Sequence, residues 1–148
     1  MVDVDRTLLA GQLDDVVTGL RRLTLPREGL SLTALATLAT LRRQGPTRLT
    51  ELAAAEGVAQ PSMTTLVARL AGQGLVERQG DPTDRRAVLL SLTDAGAQLL
   101  EQRRADRAGR LLGPLAGLTD DDVRRISDAL PALARLAGVL TDSTGGRQ

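Results

Sequence analysis

The stretch that decides the fold runs from Pro46 to Gly96: PTRLTELAAAEGVAQPSMTTLVARLAGQGLVERQGDPTDRRAVLLSLTDAG. It reads as helix, tight turn, helix, strand, charged hairpin, strand and the start of a long helix. Thr47 is placed to cap a short helix over 48–55, with Leu49, Leu52 and Ala53 facing inward. Glu56-Gly57-Val58 forms the turn, where Gly57 supplies the left-handed conformation that a sharp corner between helices needs. The second helix spans about Gln60 to Ala71, with Pro61 in its first turn, where a missing N–H costs nothing.

Spacing assigns the two faces of that second helix. Met63, Leu66, Val67 and Leu70 fall at i, i+3, i+4 and i+7 and face the core. The opposite side carries Pro61, Thr65 and Ala68, flanked by Ser62, Thr64 and Arg69. A solvated surface helix more often carries Glu, Lys and Arg on that side. Hydroxyls, methyls and one long Arg suit a helix lying in a major groove, where Thr methyls meet thymine and Arg reaches guanine or phosphate. A plain solvated face is the alternative at this point.

Gly72-Gln73-Gly74 ends the helix, and 75–78 and 86–92 read as two strands, with Val88, Leu90 and Leu92 alternating onto one face. The tip between them, Gln79 to Arg86, is built from turn residues and carries Arg85 and Arg86. Two adjacent Arg on a protruding tip are placed to enter a minor groove, unless the tip is simply a solvated charged turn.

Outside this stretch the chain is amphipathic helix. Leu9, Leu13, Val16, Val17, Leu20 and Leu23 recur at three- and four-residue spacing over about 5–23. Pro26 and Gly29 punctuate a linker, and Ser31 caps a helix to Arg43 that Gly45-Pro46 stops. After Thr93 a long helix is expected to break at Gly113-Pro114. Thr119 with three following Asp starts the last helix, through Val123, Ile126, Leu130, Leu133, Leu136, Val139 and Leu140, which Pro131 should bend. These terminal helices hold more apolar surface than a lone winged domain can cover, so a homodimer is expected. The resulting organisation is a linker and N-terminal dimerisation helix in 1–30, a DNA-binding unit in 31–96, C-terminal dimerisation helices in 97–140 and a disordered tail in 141–148.

Composition excludes whole classes of chemistry. The 148 residues contain no Cys, no His and no Phe, Tyr or Trp. Thiol redox sensing and disulfides are therefore excluded, the commonest general base and metal ligand is missing, and no aromatic platform can stack exposed bases. No metal or cofactor site is expected, and an enzyme is disfavoured. Pairs such as Asp120 and Asp122 are better read as helix-start charges. All 19 basic residues are Arg, and the net charge is only +1. Within 47–94, five Arg (48, 69, 78, 85, 86) face six acids (51, 56, 77, 81, 84, 94). Net charge says nothing about DNA here; the placement of individual side chains must. The N-terminal MVDVDRTLL lacks a basic–apolar–small pattern, and no segment is apolar enough to span a bilayer, so a cytoplasmic protein is expected.

Gly74-Leu75-Val76-Glu77-Arg78, Asp84-Arg85-Arg86 and Leu92-Thr93-Asp94-Ala95-Gly96 occur together in order and spacing, and with them the chain resembles the MarR family over about 31–100. The resemblance implies a mainly α fold with a small β-wing: a winged helix-turn-helix with N- and C-terminal dimerisation helices. It implies repression or activation of transcription, with a repressor the expectation, by a homodimer binding double-stranded DNA at a pseudo-palindromic operator. By position, the DNA contacts would be Gln60, Pro61, Ser62, Thr64, Thr65 and Arg69 on the recognition helix and Arg85 and Arg86 on the wing, with Asp84 orienting the wing arginine. It further implies release by a small anionic or aromatic effector held between the dimer helices and the winged unit. Ala59 departs from the pattern, standing where such helices often have a polar N-cap. The alternative is a winged-helix protein-interaction module without DNA binding, which the slightly acidic balance of 47–94 mildly favours. Salt-dependent affinity for duplex separates the two.

Overall fold

The computed structural model describes residues 5–24, 29–84 and 87–145. Along the chain run α1 (Arg6–Thr24), α2 (Leu32–Gln44), β1 (Thr47–Arg48), α3 (Leu49–Ala55), α4 (Gln60–Gly72), β2 (Val76–Gly80), β3 (Val88–Leu92), α5 (Asp94–Ala116) and α6 (Asp120–Gly145). Two compact units, Met1–Arg107 and Ala108–Gln148, divide the chain within α5.

The first unit is built around a small aliphatic core. Ala34, Leu38 and Leu41 of α2, Leu52 and Ala53 of α3, Met63, Val67 and Leu70 of α4, Val76, Leu90 and Leu100 are all buried. With no aromatic residue available, closeness rather than bulk fills this core: Leu and Met interleave with Ala and Val. The three strands form an antiparallel sheet in the order β1-β3-β2. Thr47 pairs with Leu90, while β2 runs from Val76 opposite Leu92 to Gly80 opposite Val88. The fold is a winged helix-turn-helix, with α3 and α4 as the helix pair and β2–β3 as the wing.

Local chemistry explains the boundaries. Ser31 caps α2, its Oγ accepting from the Ala34 N–H at 3.2 Å. The α3–α4 turn closes on Gly57, whose φ of 63° is the left-handed value expected there. Thr93 starts α5 by accepting from the Gly96 N–H at 3.1 Å, and its hydroxyl donates to the Gly74 carbonyl at 2.6 Å. Thr119 likewise accepts from the Asp122 N–H to begin α6.

Three expectations need correction. Thr47 does not cap α3: it joins β1, and its hydroxyl donates to the Gly45 carbonyl at 2.9 Å, so Arg48 takes the N-cap position. The β-branched Thr47 prefers the ladder opposite Leu90 to a cap. Gly113-Pro114 does not interrupt the helix. Pro114 falls in the last turn of α5, where its missing N–H forfeits a single bond and the helix ends at Ala116 anyway. The tail is not irregular from Thr141: α6 passes both Pro131 and Gly138 and continues to Gly145. Val88 is 48% exposed although it shares a face with the buried Leu90, since the wing has there outrun the core.

Candidate nucleic-acid interface

The α4 helix begins at Ala59, an extended residue that provides no side-chain cap, with Pro61 in the first turn. Its stripe of Met63, Val67 and Leu70 is buried and Leu66 is half-buried, which fixes the helix rotation. Gln60, Pro61, Ser62, Thr64, Thr65, Ala68 and Arg69 are all exposed as a result. The two threonines are locally tied. Thr64 Oγ1 donates to the Gln60 carbonyl at 2.9 Å and Thr65 Oγ1 to the Pro61 carbonyl at 3.2 Å.

Arg69 is set apart from the other candidates. It lines a cavity of about 380 Å³ together with Gly29, Leu30, Gln73, Leu75, Leu99 and Arg103. Three Leu side chains form the apolar part of this lining, and two guanidiniums and one amide form the polar part. Arg103 lies over Gly29, its Nη2 where a Cβ at that position would stand.

The wing is fastened at its base. Arg48 donates from Nε at 3.0 Å and from Nη2 at 2.6 Å to Oδ2 of Asp81, at the end of β2. The other carboxylate oxygen, Oδ1, accepts from the Thr83 N–H at 2.8 Å and from the Thr83 hydroxyl at 2.6 Å. Asp81 is only 7% exposed. The Thr83 hydroxyl, the Thr83 N–H and then Arg48 hold its carboxyl well below the usual carboxylate range, against the opposing effect of burial. The same contact raises the Arg48 guanidinium further. Asp84 is exposed, and its carbonyl accepts from the Ala87 N–H at 3.0 Å. Arg85 and Arg86, the arginines it was expected to orient, lie outside the described residues, as do residues 25–28 of the linker.

Residues 30–88 match the model of the MarR family. The HTH-type transcriptional regulator MT0903.1 of Mycobacterium tuberculosis is 38% identical over 111 residues, covering 73% of this chain and 78% of that protein. The chain belongs to the MarR family. It is a DNA-binding transcriptional regulator. Among solved MarR-like structures, the transcriptional regulator Tm0710 from Thermotoga maritima is 25% identical, with a TM-score of 0.75, covering 96% of this chain and 100% of that one. A second, BpsR of Bordetella bronchiseptica, described for the regulation of its DNA binding by 6-hydroxynicotinic acid, is 25% identical. Its TM-score is 0.54, with 89% of this chain and 94% of that chain covered.

Within this MarR-family frame, Asp81 and Arg48 are the residues that sequence reasoning missed. Asp81 reads locally as one turn residue among several, although an Asp two residues before a Thr is a signal for an Asx-type turn. Its second partner stands 33 positions earlier, at a distance no local pattern reveals.

Proposed function

We propose that the chain works as a homodimeric repressor in the cytoplasm, with no catalytic step of its own. It would bind a pseudo-palindromic operator through α4 and the wing and be released by a small organic anion. The observation that carries this reading is the face of α4 itself: Met63, Val67 and Leu70 are buried, so Gln60, Pro61, Ser62, Thr64, Thr65 and Ala68 stand exposed on the side a major groove would meet.

Two exposed apolar stripes support the dimer. On α1, Leu9, Val16, Val17 and Leu20 are exposed, and on α6 so are Val123, Ile126, Leu130, Leu133, Val139 and Leu140. Stripes of this size on isolated helices ordinarily meet a partner, and a second copy supplies an identical one. Two α4 helices held ~34 Å apart would then meet successive turns of one DNA face.

The cavity beside Arg69 supports the effector. Two guanidiniums and an amide above a leucine lining suit a carboxylate on a compact apolar body, the chemistry that regulates BpsR. Because Arg69 belongs to both α4 and the cavity, an anion bound there biases the state in which α4 binds DNA. The test is fluorescence anisotropy of the purified chain on duplex from its own upstream region, across a salt series and with 6-hydroxynicotinic acid added. Preference for that duplex over random sequence, steep salt dependence and loss of binding with the anion are expected. No preference over random duplex would sink the operator reading, and binding indifferent to the anion would sink that choice of effector.

A further inference from the structure

We infer that α4 reads its half-site chiefly through methyl groups, and that the bases it selects are thymines in A·T pairs. This rests on the DNA-binding function and concerns which atoms the recognition helix presents.

An arginine aimed at guanine is the commonest specific contact in the major groove. The sole Arg on α4 is Arg69, and it lines the cavity formed with Leu30, Leu99 and Arg103. From Gln60 to Ala68 the helix carries no charge. Of the three hydroxyls on this stretch, those of Thr64 and Thr65 are occupied and only that of Ser62 is not so tied: the two threonines donate to carbonyls one turn back, the arrangement threonine commonly adopts within helices. With each hydroxyl hydrogen committed to the backbone, the γ-methyl is the group each threonine offers outward, beside an oxygen that can still accept. The Pro61 ring and the Ala68 methyl extend the same exposed surface.

Unmodified DNA has one complementary target. In the major groove the thymine C5-methyl is the only apolar group, and its adenine partner offers the N6 amino donor. An A·T pair therefore presents both a methyl and a donor, matching a methyl beside an accepting oxygen. A G·C pair offers a donor and no methyl. Gln60 at the start of the helix adds the amide that suits adenine N6 and N7.

The experiment selects duplexes from a randomised pool with the full-length chain, then replaces each thymine of the enriched half-site by deoxyuridine, which removes the methyl alone. Enriched half-sites should carry adjacent A·T pairs. Each contacted thymine should lose about fourfold in affinity as deoxyuridine, the effect of withdrawing one carbon from apolar contact. At one of the contacted thymines, the one Thr65 meets, the preference over deoxyuridine should survive in Thr65→Val, which keeps the methyl, and vanish in Thr65→Ser, which keeps the hydroxyl. Reading this ratio, rather than affinity, separates the contact from any general weakening of the variant. Deoxyuridine duplexes that bind as well as thymine ones, or a Thr65→Ser chain that still distinguishes the two at every contacted thymine, would overturn the inference while leaving operator binding intact. A pool that yields no enriched sequence would overturn sequence-specific binding itself.

Discussion

Arg48 and Asp81 join the start of the helix-turn-helix to the base of the wing, two guanidinium nitrogens meeting one carboxylate oxygen at 3.0 and 2.6 Å. Thr83 holds the other oxygen, so the carboxylate is saturated by donors from both sides of the joint. Replacing Asp81 by Asn keeps the shape but removes the charge and forces an N–H₂ group against a donor. Asp81→Asn should lower the melting temperature more than removal of the exposed Arg42–Glu101 pair by Arg42→Ala, since exposed pairs contribute little. Parallel thermal melts of the two variants check this; equal shifts would mean that the wing joint adds no more than a surface ion pair.

The same carboxylate predicts a pH dependence. Its folded-state value lies below the unfolded 3.8, so the stability it contributes is present above that value and is lost as the pH falls below it. The gap in melting temperature between the wild type and Asp81→Asn should be constant from neutral pH to about 5 and close progressively under more acidic conditions. A gap that widened in acid would contradict the sign.

Gly96 predicts a steric effect. A Cβ there would clash with the Leu75 carbonyl oxygen and stand 2.6 Å from a Leu92 methyl, and a backbone atom cannot step aside as a flexible side chain would. Gly96→Ala should cost about 1–3 kcal/mol by overpacking. Gly109→Ala, on the same helix with nothing within 4 Å, should be neutral or stabilise by up to ~1 kcal/mol through helix propensity. Urea denaturation of both variants measures the contrast.

The cavity separates the roles of its two arginines. Arg103→Ala should weaken binding of 6-hydroxynicotinic acid by about tenfold, as expected for the loss of one charge-assisted hydrogen bond. Arg69→Ala should weaken anion binding and also, to the same degree on operator and random duplex, DNA binding, because an exposed guanidinium on α4 attracts phosphate without reading a base. Calorimetry with the anion and anisotropy with the operator give the two readouts separately.

On α6, Leu130 and Leu133 lie in the exposed apolar stripe. A Leu130→Asp, Leu133→Asp double variant should elute at monomer mass with its helical signal largely retained. A dimer surviving the double substitution would move the interface away from this stripe.

The parts of the fold legible in the sequence are those written in local pattern. The i, i+3, i+4, i+7 spacing from Met63 to Leu70 sets the rotation of α4, and Gly57 marks the corner before it, because both depend on nearest neighbours along the chain. Thr47 was misread because a cap and a two-residue edge strand draw on the same residue type, and only the presence of β3 decides between them. Pro114 was misread because a proline in a last turn looks, in sequence, like a proline beyond it. The exposed face of α4 could be drawn residue by residue from periodicity, but the place of Arg69 in a cavity could not: that depends on Arg103 and Leu30 arriving from elsewhere in the chain. Asp81 was passed over for the same reason, its partner being contributed by a different element.

The contacts around Thr93 have a mechanical meaning. Its hydroxyl bonds to the carbonyl of Gly74, just past the end of α4, and its N–H donates to the Leu75 carbonyl at 3.2 Å, against which Gly96 is packed. The end of the recognition helix, the root of the wing and the first turn of α5 therefore share one rigid hub with no slack for a side chain. The first turn of α5 thus has no lateral freedom of its own: its position is set by the same backbone that closes α4 and opens β2.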